Sequence, residues 1–269
     1  MSVILCRQKR AGNPYYIEGL GIHIYSAQEL CYAVYHHPLL FMDGFVDGNL
    51  LEFVREELGM GFAAARLEQR QKSGDRSEEL LFQLMQECDY YTTMELNKLR
   101  QTFAALKKLP PLEYAKEKAD YLAEYKQYGK AIAGYEEILE AADPQKDGQL
   151  TGRVWNNLGA CYARVFRFQK AMDAYDKACG GKKDLKILEK MYYLTLLDSS
   201  VEMKEPYRSM ASDEMKQEWD KEFQGANIRA EESGELKKLQ HLFQEDSLRR
   251  LEDAARQVEE WKQEYRSMA

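Results

Sequence analysis

The chain has few of the residues that build catalytic, metal-binding or disulfide-linked sites. Its four histidines include no pair with a metal-site spacing such as H-x-x-x-H, and its five cysteines include no C-x-x-C pair. A glycine-rich phosphate loop is lacking as well, because Gly19 and Gly21 are without the third glycine of that motif. We therefore expect no metal, no cofactor and no enzymatic activity. We expect the cysteines to be reduced and mostly buried: Cys6, Cys31, Cys88, Cys161 and Cys179.

Long apolar runs and an excess of positive charge are also lacking. The run Val3–Cys6 stops at Arg7, which is too short for a signal peptide, and no stretch approaches the roughly 20 apolar residues of a membrane span. The formal net charge is −7, whereas a nucleic-acid-binding surface needs clustered Lys and Arg. We expect a cytoplasmic protein that binds neither nucleic acid nor membranes.

Proline and glycine are sparse, and the segments between the prolines are helical in character. The chain has 6 prolines and 17 glycines, and Leu, Ala, Glu, Lys and Gln recur between them at helical spacing. A hydrophobic content of 45% is too high for a disordered chain. The predicted fold class is therefore mainly α. The β-branched and aromatic segments Val3–Cys6 and Ile22–Tyr25 predict a short β-hairpin or a pair of extended strands near the amino terminus.

Two helix starts are indicated by capping signals. Ser26–Glu29 and Thr92–Glu95 have the spacing of a capping box, in which the hydroxyl accepts a backbone N–H and the glutamate reaches back to the cap. The apolar spacing between them predicts further helices near residues 47–58, 60–72 and 76–89. Together these helices form a small amino-terminal domain, residues 1–110.

One internal segment has a specific pattern of large and small residues. It contains Trp155, Leu158, Gly159 and Tyr162, followed by Phe168, Ala171, Tyr175 and Ala178. This segment resembles a tetratricopeptide repeat, a family whose units are pairs of antiparallel helices that stack into an α-α superhelix. In that arrangement, Gly159 and Ala171 allow the two helices of the pair to approach closely.

Weaker copies of the pattern flank this segment. The preceding copy contains Ala119, Leu122, Tyr128, Ala131, Tyr135 and Ile138. Its Ala131 precedes Ala171 by 40 residues rather than about 34, and the polar loop 145–150 absorbs the surplus. A third copy is degenerate, because Pro206 and the charged stretch after it do not reproduce a second helix. The resemblance therefore implies repeats at about 112–144, 152–183 and 185–205, within residues 111–205.

The resemblance also implies a peptide-binding groove, lined by outward-facing residues of the first helix of each pair. On the second repeat these residues are Arg153, Asn156, Asn157, Ala160 and Arg164. Family members that grip the terminal carboxylate of a peptide have further basic positions, which correspond here to Lys116, Lys186 and Lys190. Asp120 stands where those members have an asparagine, and its carboxylate would repel that of a ligand. The alternative is that these side chains are ordinary solvated helix charges.

The carboxy-terminal segment, residues 206–269, is predicted to be acidic and helical, and its part from Ser212 to Ala269 predicts one long helix or two. Residues 184–269 contain 14 basic and 20 acidic side chains, whereas residues 111–183 contain 12 and 11. Two apolar stripes recur at helical spacing: Met215, Trp219 and Phe223, then Leu251, Ala254, Val258, Trp261 and Tyr265. We expect the second stripe to pack on the repeats as their cap. The alternative is a coiled-coil contact with a partner or with a second copy, which would give a homo-oligomer.

These patterns favour a non-enzymatic adaptor or scaffold that binds a protein or peptide through the groove. Two alternatives stay open: a regulator that senses a peptide and acts through the amino-terminal domain, and a structural subunit that self-assembles through its carboxy-terminal helix. The segments Asn13–Glu18 and Ser26–Tyr32 also resemble the opening of bacterial repeat proteins of unassigned role, which implies a bacterial protein and no particular activity.

Overall fold

A computed structural model describes residues 10–42, 44–143, 145–180, 184–243 and 247–268. These residues are mainly helical, with fourteen α-helices and one two-stranded antiparallel sheet. The chain divides into two compact units, Met1–Tyr121 and Leu122–Ala269. None of the described helices is long and apolar enough to cross a membrane.

The described part of the first unit begins with a β-hairpin. Strand β1 (Tyr15–Ile17) pairs with strand β2 (Ile22–Ile24), and Gly21 occupies the left-handed region in the turn, with φ 68°. The predicted second strand is therefore confirmed. Its partner is β1, whereas the predicted segment Val3–Cys6 lies outside the described residues.

Helices build the remainder of the first unit around one apolar core. They are α1 (Ala27–His36), α2 (Gly48–Glu52), α3 (Gly61–Lys72), α4 (Ser77–Cys88), α5 (Thr93–Leu106) and most of α6 (Pro111–Glu124). A 3-10 turn, Pro38–Leu40, follows α1, and a π-helical turn, Phe53–Glu57, continues α2. The three helices expected between residues 47 and 89 are thus present within a few residues of their predicted bounds.

The two predicted capping boxes differ in how they form. At α5 the box is complete, because Thr92 and Glu95 each accept the backbone N–H of the other. At α1, Ser26 accepts the N–H of Glu29, but the Glu29 carboxylate accepts from Tyr25 instead of Ser26, at 2.5 Å. The predicted contact of Glu29 is therefore wrong by one residue. The reason is that β2 ends at Ile24, which leaves the Tyr25 N–H outside the two-stranded ladder and in need of an acceptor.

The second unit contains only helices among its described elements. After the last turn of α6 they are α7 (Tyr128–Ala141), α8 (Gly148–Arg164), α9 (Phe168–Cys179), α10 (Leu185–Leu197), α11 (Tyr207–Met210), α12 (Asp213–Glu231), α13 (Gly234–Leu242) and α14 (Ser247–Met268). The prediction of one or two helices in the tail is therefore wrong. Ser233 starts a new helix by accepting the N–H of Leu236, and this cap separates α13 from α12.

Helix α8 packs against α7 and against α9. Its contact with α9 depends on Gly159, because a Cβ at this position would lie 2.7 Å from Cε1 of Tyr175. Tyr175 is only 3% exposed, and Ala171 beside it is fully buried. The expectation that Gly159 and Ala171 allow a close helix approach is therefore confirmed.

Two turns of the second unit share one backbone conformation. Lys126, before α7, has φ 59°, and Phe166, before α9, has φ 58°. The same three N–H to C=O bonds recur with a shift of 40 residues: Lys126 to Ala123 and Phe166 to Ala163, Gln127 to Leu122 and Arg167 to Tyr162, Ala131 to Gln127 and Ala171 to Arg167. This shift equals the offset between Ala131 and Ala171 in the sequence pattern.

The two apolar stripes of the tail have different surroundings. Trp219 of α12 is buried, and its ring centroid lies 5.5 Å from that of Tyr192 on α10. In α14, by contrast, Leu251 is 67% exposed and Val258 is 42% exposed. The expectation that the whole second stripe is buried as a cap is therefore wrong, although its last two residues, Trp261 and Tyr265, line a cavity with the turns before α7 and α9. Helix α12 contacts α10, whereas α14 contacts α13, and Leu251 and Val258 stay open to solvent.

We expect Gly159→Ala to lower the free energy of unfolding. Overpacking against the buried Tyr175 ring costs about 1–3 kcal/mol, whereas the helix propensity of alanine returns up to about 1 kcal/mol. Urea denaturation followed by circular dichroism measures the net loss. The matched control is Gly152→Ala on the same helix, where the nearest atom to a new Cβ is Ala178 O at 3.9 Å. This control should gain stability, and equal gains in both variants would contradict the packing.

Candidate functional site

One face of α8 stays partly open although the helix packs against two neighbours. Val154, Leu158 and Cys161 are at most 3% exposed and form its packed side. The positions three and four residues apart on the open side share one face of the helix. They are the groove residues predicted from the sequence: Arg153, Asn156, Asn157, Ala160 and Arg164.

Polar contacts connect this open face to α10. The Asn156 side-chain amide donates to Asn157 Oδ1 at 3.0 Å, and Lys190 Nζ donates to Asn156 Oδ1 at 2.9 Å. The same ammonium lies 5.6 Å from the centroid of the Tyr175 ring, within range of a cation–π contact. The structure therefore brings together three residues that the sequence predicts for the groove: Asn156 and Asn157 of α8, and Lys190 of α10.

Burial lowers the pKa of Lys190 from its ordinary value of 10.5. The Lys186 ammonium acts in the same direction, while the Asp184 and Glu189 carboxylates oppose it. A partly desolvated cation with an amide acceptor is suited to binding a carbonyl or carboxylate oxygen of a ligand. Lys190 is thus the partly buried cation of the candidate groove.

The other residues predicted for the groove differ in their exposure. Arg153 and Arg164 are exposed near the two ends of the α8 face, and Ala160 is half-buried between them. Ala160 has the smallest side chain on this face. Lys186 is exposed in the first turn of α10, where Asp184 accepts its backbone N–H at 3.0 Å.

Lys116 belongs to the first unit and has a different environment. Only 6% of the residue is exposed, and its ammonium forms an ion pair with Asp120 one turn later on α6. Asp120 is the residue expected to repel a carboxylate ligand. The structure instead pairs its charge with the lysine, so the two partly neutralise each other.

A cavity on another side of α8 was not predicted from the sequence. It has a volume of about 630 Å³ and lies over Trp155, Leu158 and Tyr162, with walls from α7 and α9. Lys177 Nζ lies 4.1 Å from the Trp155 ring centroid, and the Tyr162 hydroxyl donates to Glu136 at 2.5 Å. Burial, with this hydrogen bond, raises the pKa of Tyr162 to about 12. The repeat pattern assigns these aromatic residues to packing alone and carries no signal for the charged walls.

Two of the described thiols, Cys31 and Cys179, are poorly suited to nucleophilic chemistry. Cys31, Cys161 and Cys179 are buried and Cys88 is half-buried, as expected, while Cys6 lies outside the described residues. A hydrogen bond with Cys88, together with burial, raises the pKa of Cys31. Burial likewise raises the pKa of Cys179 to about 11. Such thiols are protonated at neutral pH, whereas the thiolate is the reactive form.

Comparisons with known proteins identify no relative of this chain: no family model, no curated protein and no solved structure matches it. Within the described ranges, no group of three or more His, Cys, Asp or Glu residues could hold a metal ion. The candidate site therefore consists of the open face of α8 and the adjoining lysines of α10.

We expect the pKa of Lys190, measured by NMR titration of its side chain, to lie below 10.5. Asn156→Leu should lower this pKa further, because the variant removes an acceptor that stabilises the ammonium while burial continues to oppose it. Gln257→Leu on α14 is a matched control that should leave the Lys190 titration unchanged. A Lys190 pKa that is insensitive to Asn156→Leu would contradict the contact between α8 and α10.

Proposed function

We propose that this chain is a non-enzymatic adaptor or scaffold whose second unit binds a peptide segment of a partner protein. The binding surface in this proposal is the open face of α8 with the adjoining lysines of α10. Residues 111–205 would form tetratricopeptide-like hairpins, as their sequence resemblance implies, and residues 206–269 would follow them as an acidic helical segment.

The two matching turns support a repeated hairpin. Lys126 and Phe166 have the same left-handed backbone conformation, 40 residues apart, and the same hydrogen bonds surround both. Each turn has the hydrogen bonds of a common left-handed helix C-terminus, so the support comes from the recurrence of both turns at the 40-residue offset that separates Ala131 from Ala171. A common origin of the two hairpins accounts for them, and repeated helical hairpins commonly present an extended binding surface.

The hydrogen bond from Lys190 to Asn156 is the observation that carries the proposal. It joins outward-facing residues of two helices that the repeat pattern makes the first members of successive pairs. The result is a continuous polar strip that offers amide donors, amide acceptors and an ammonium beside the small Ala160. Peptide recognition needs backbone hydrogen-bonding partners together with room for the ligand backbone, and this strip offers both.

Selection from a random peptide library displayed on phage tests the proposal. We expect the full chain to select peptides, and the double variant Arg153→Glu/Ala160→Arg to bind them at least about tenfold more weakly, because it reverses a rim charge and fills the gap beside the asparagines. Arg229→Glu on α12 is the control for charge reversal and should bind like the wild type. Failure to select any peptide, or equal binding by the double variant, would refute this role of the groove.

Self-assembly through α14 is a second candidate function. The exposed Leu251, Val258, Trp261 and Tyr265 recur on one side of an otherwise charged helix. Exposed apolar stripes of this kind are typical of helix–helix interfaces. A second copy of α14 would cover the stripe.

Light scattering distinguishes this second candidate. If α14 mediates assembly, the wild-type chain has at least twice the monomer mass, and Leu251→Glu/Val258→Glu returns it to the monomer because charges are unfavourable in an apolar seam. Gln263→Glu, an exposed change on the same helix outside the stripe, should leave the mass unchanged. A monomeric wild-type chain over the whole accessible concentration range would eliminate the assembly role.

A further inference from the structure

Another cavity of the second unit lies between the end of α14 and the two turns that contain Lys126 and Phe166. It has a volume of about 530 Å³ and is lined by Lys126, Tyr128, Arg164, Phe166, Trp261, Glu264 and Tyr265. Small-molecule sites commonly have volumes of roughly 300–1,000 Å³. Most of its lining is aromatic, so the cavity offers an apolar interior of ligand size.

Two of the lining residues are held in an unfavourable backbone conformation. Lys126 and Phe166 both have φ near +60°, which is disfavoured for residues with a Cβ and is a genuine outlier for a bulky one. Glycine would avoid a cost of about 1–2 kcal/mol at each position. A left-handed residue is a common end of an α-helix, and what is unusual here is that lysine and phenylalanine occupy positions at which glycine is usual.

Burial of Phe166 does not account for its presence in the turn. The residue is 73% exposed, so its ring gains little from packing within the unit. Trp261 and Tyr265 of α14 are also exposed, by 47% and 42%. The chain therefore keeps three large aromatic rings at the surface around one cavity, at a conformational cost in at least one case.

The charges at this cavity favour an anion. Within the described part of the chain, no ion pair engages the ammonium of Lys126 or the guanidinium of Arg164. Glu264 also lines the cavity, so its carboxylate offsets one of the two cations and leaves one positive charge in excess. Two cations beside aromatic rings disfavour a quaternary ammonium ligand, which would need a negative or neutral cage.

We infer that this cavity binds a small carboxylic acid with an aromatic or acyl body. The apolar body lies among Phe166, Trp261 and Tyr265, and the carboxylate lies between Lys126 and Arg164. A guanidinium matches a carboxylate with two parallel hydrogen bonds, and the ammonium adds a point charge. The inference does not depend on the peptide groove, although Arg164 lies at the end of both surfaces.

Isothermal titration calorimetry with decanoate tests the inference on the full chain. We expect saturable binding at one site, and at least about tenfold weaker binding of decanol, which has the same chain without the charge. Lys126→Glu should weaken decanoate binding by at least about tenfold, because it replaces an attractive charge with a repulsive one. Arg229→Glu, which makes the same change in charge on α12, should bind decanoate like the wild type. Absence of saturable binding, or equal affinity for decanol, would overturn the inference.

Phe166→Gly separates a ligand-binding role from a structural one. The variant should raise the melting temperature, because it removes the strain of the turn. It should also weaken decanoate binding by at least about fivefold, because it removes an aromatic wall. A Phe166→Gly chain that binds decanoate with unchanged affinity would overturn the assignment. Peptide selection through Arg153 and Ala160 is measured independently, so failure of either proposal is recognised without the other.

Discussion

The close approach of α8 and α9 at Gly159 and Tyr175 is the constraint on which the second unit depends. No Cβ fits between this glycine and the tyrosine ring, and the ring itself is buried. Helices that approach so closely fix their mutual position within narrow limits, because protein interiors are packed to nearly crystalline density. The position of α9 in turn determines where α10 packs, and therefore where Lys190 meets Asn156.

The same constraint gives α8 two sides that differ in their chemistry. Its packed side supports the cavity over Trp155 and Tyr162, and its open side presents the asparagines and arginines of the proposed peptide groove. The turn that follows α8 holds Phe166 in a strained conformation beside α14. The rigid hairpin of α8 and α9 thus positions three surfaces whose chemistry differs. They are the polar strip of the proposed peptide groove, the cavity with charged walls over Trp155 and Tyr162, and the aromatic cavity with the two cations Lys126 and Arg164.

Local signals predict much of this structure, and long-range contacts limit the prediction. The cap at Thr92 and the small residue at Gly159 depend on neighbours a few positions away or on a recurrent pattern, so the sequence indicates them correctly. The contact of Glu29 with Tyr25 depends on where the hairpin ends. The exposure of Leu251 depends on which helices α14 meets in the folded chain, which no local pattern shows. Asn156, Asn157 and Lys190 are predicted as groove residues, but their hydrogen bonds are visible only in three dimensions.

A double-mutant cycle between Gly159→Ala and Tyr175→Leu tests the central packing constraint most directly. If the new methyl group collides with the tyrosine ring, leucine at position 175 relieves the collision. The combined loss in the free energy of unfolding is then smaller than the sum of the single losses by about 1 kcal/mol or more. Strictly additive losses would mean that the two residues are not in close contact, and would contradict the packing of α8 on α9 from which the candidate site is built.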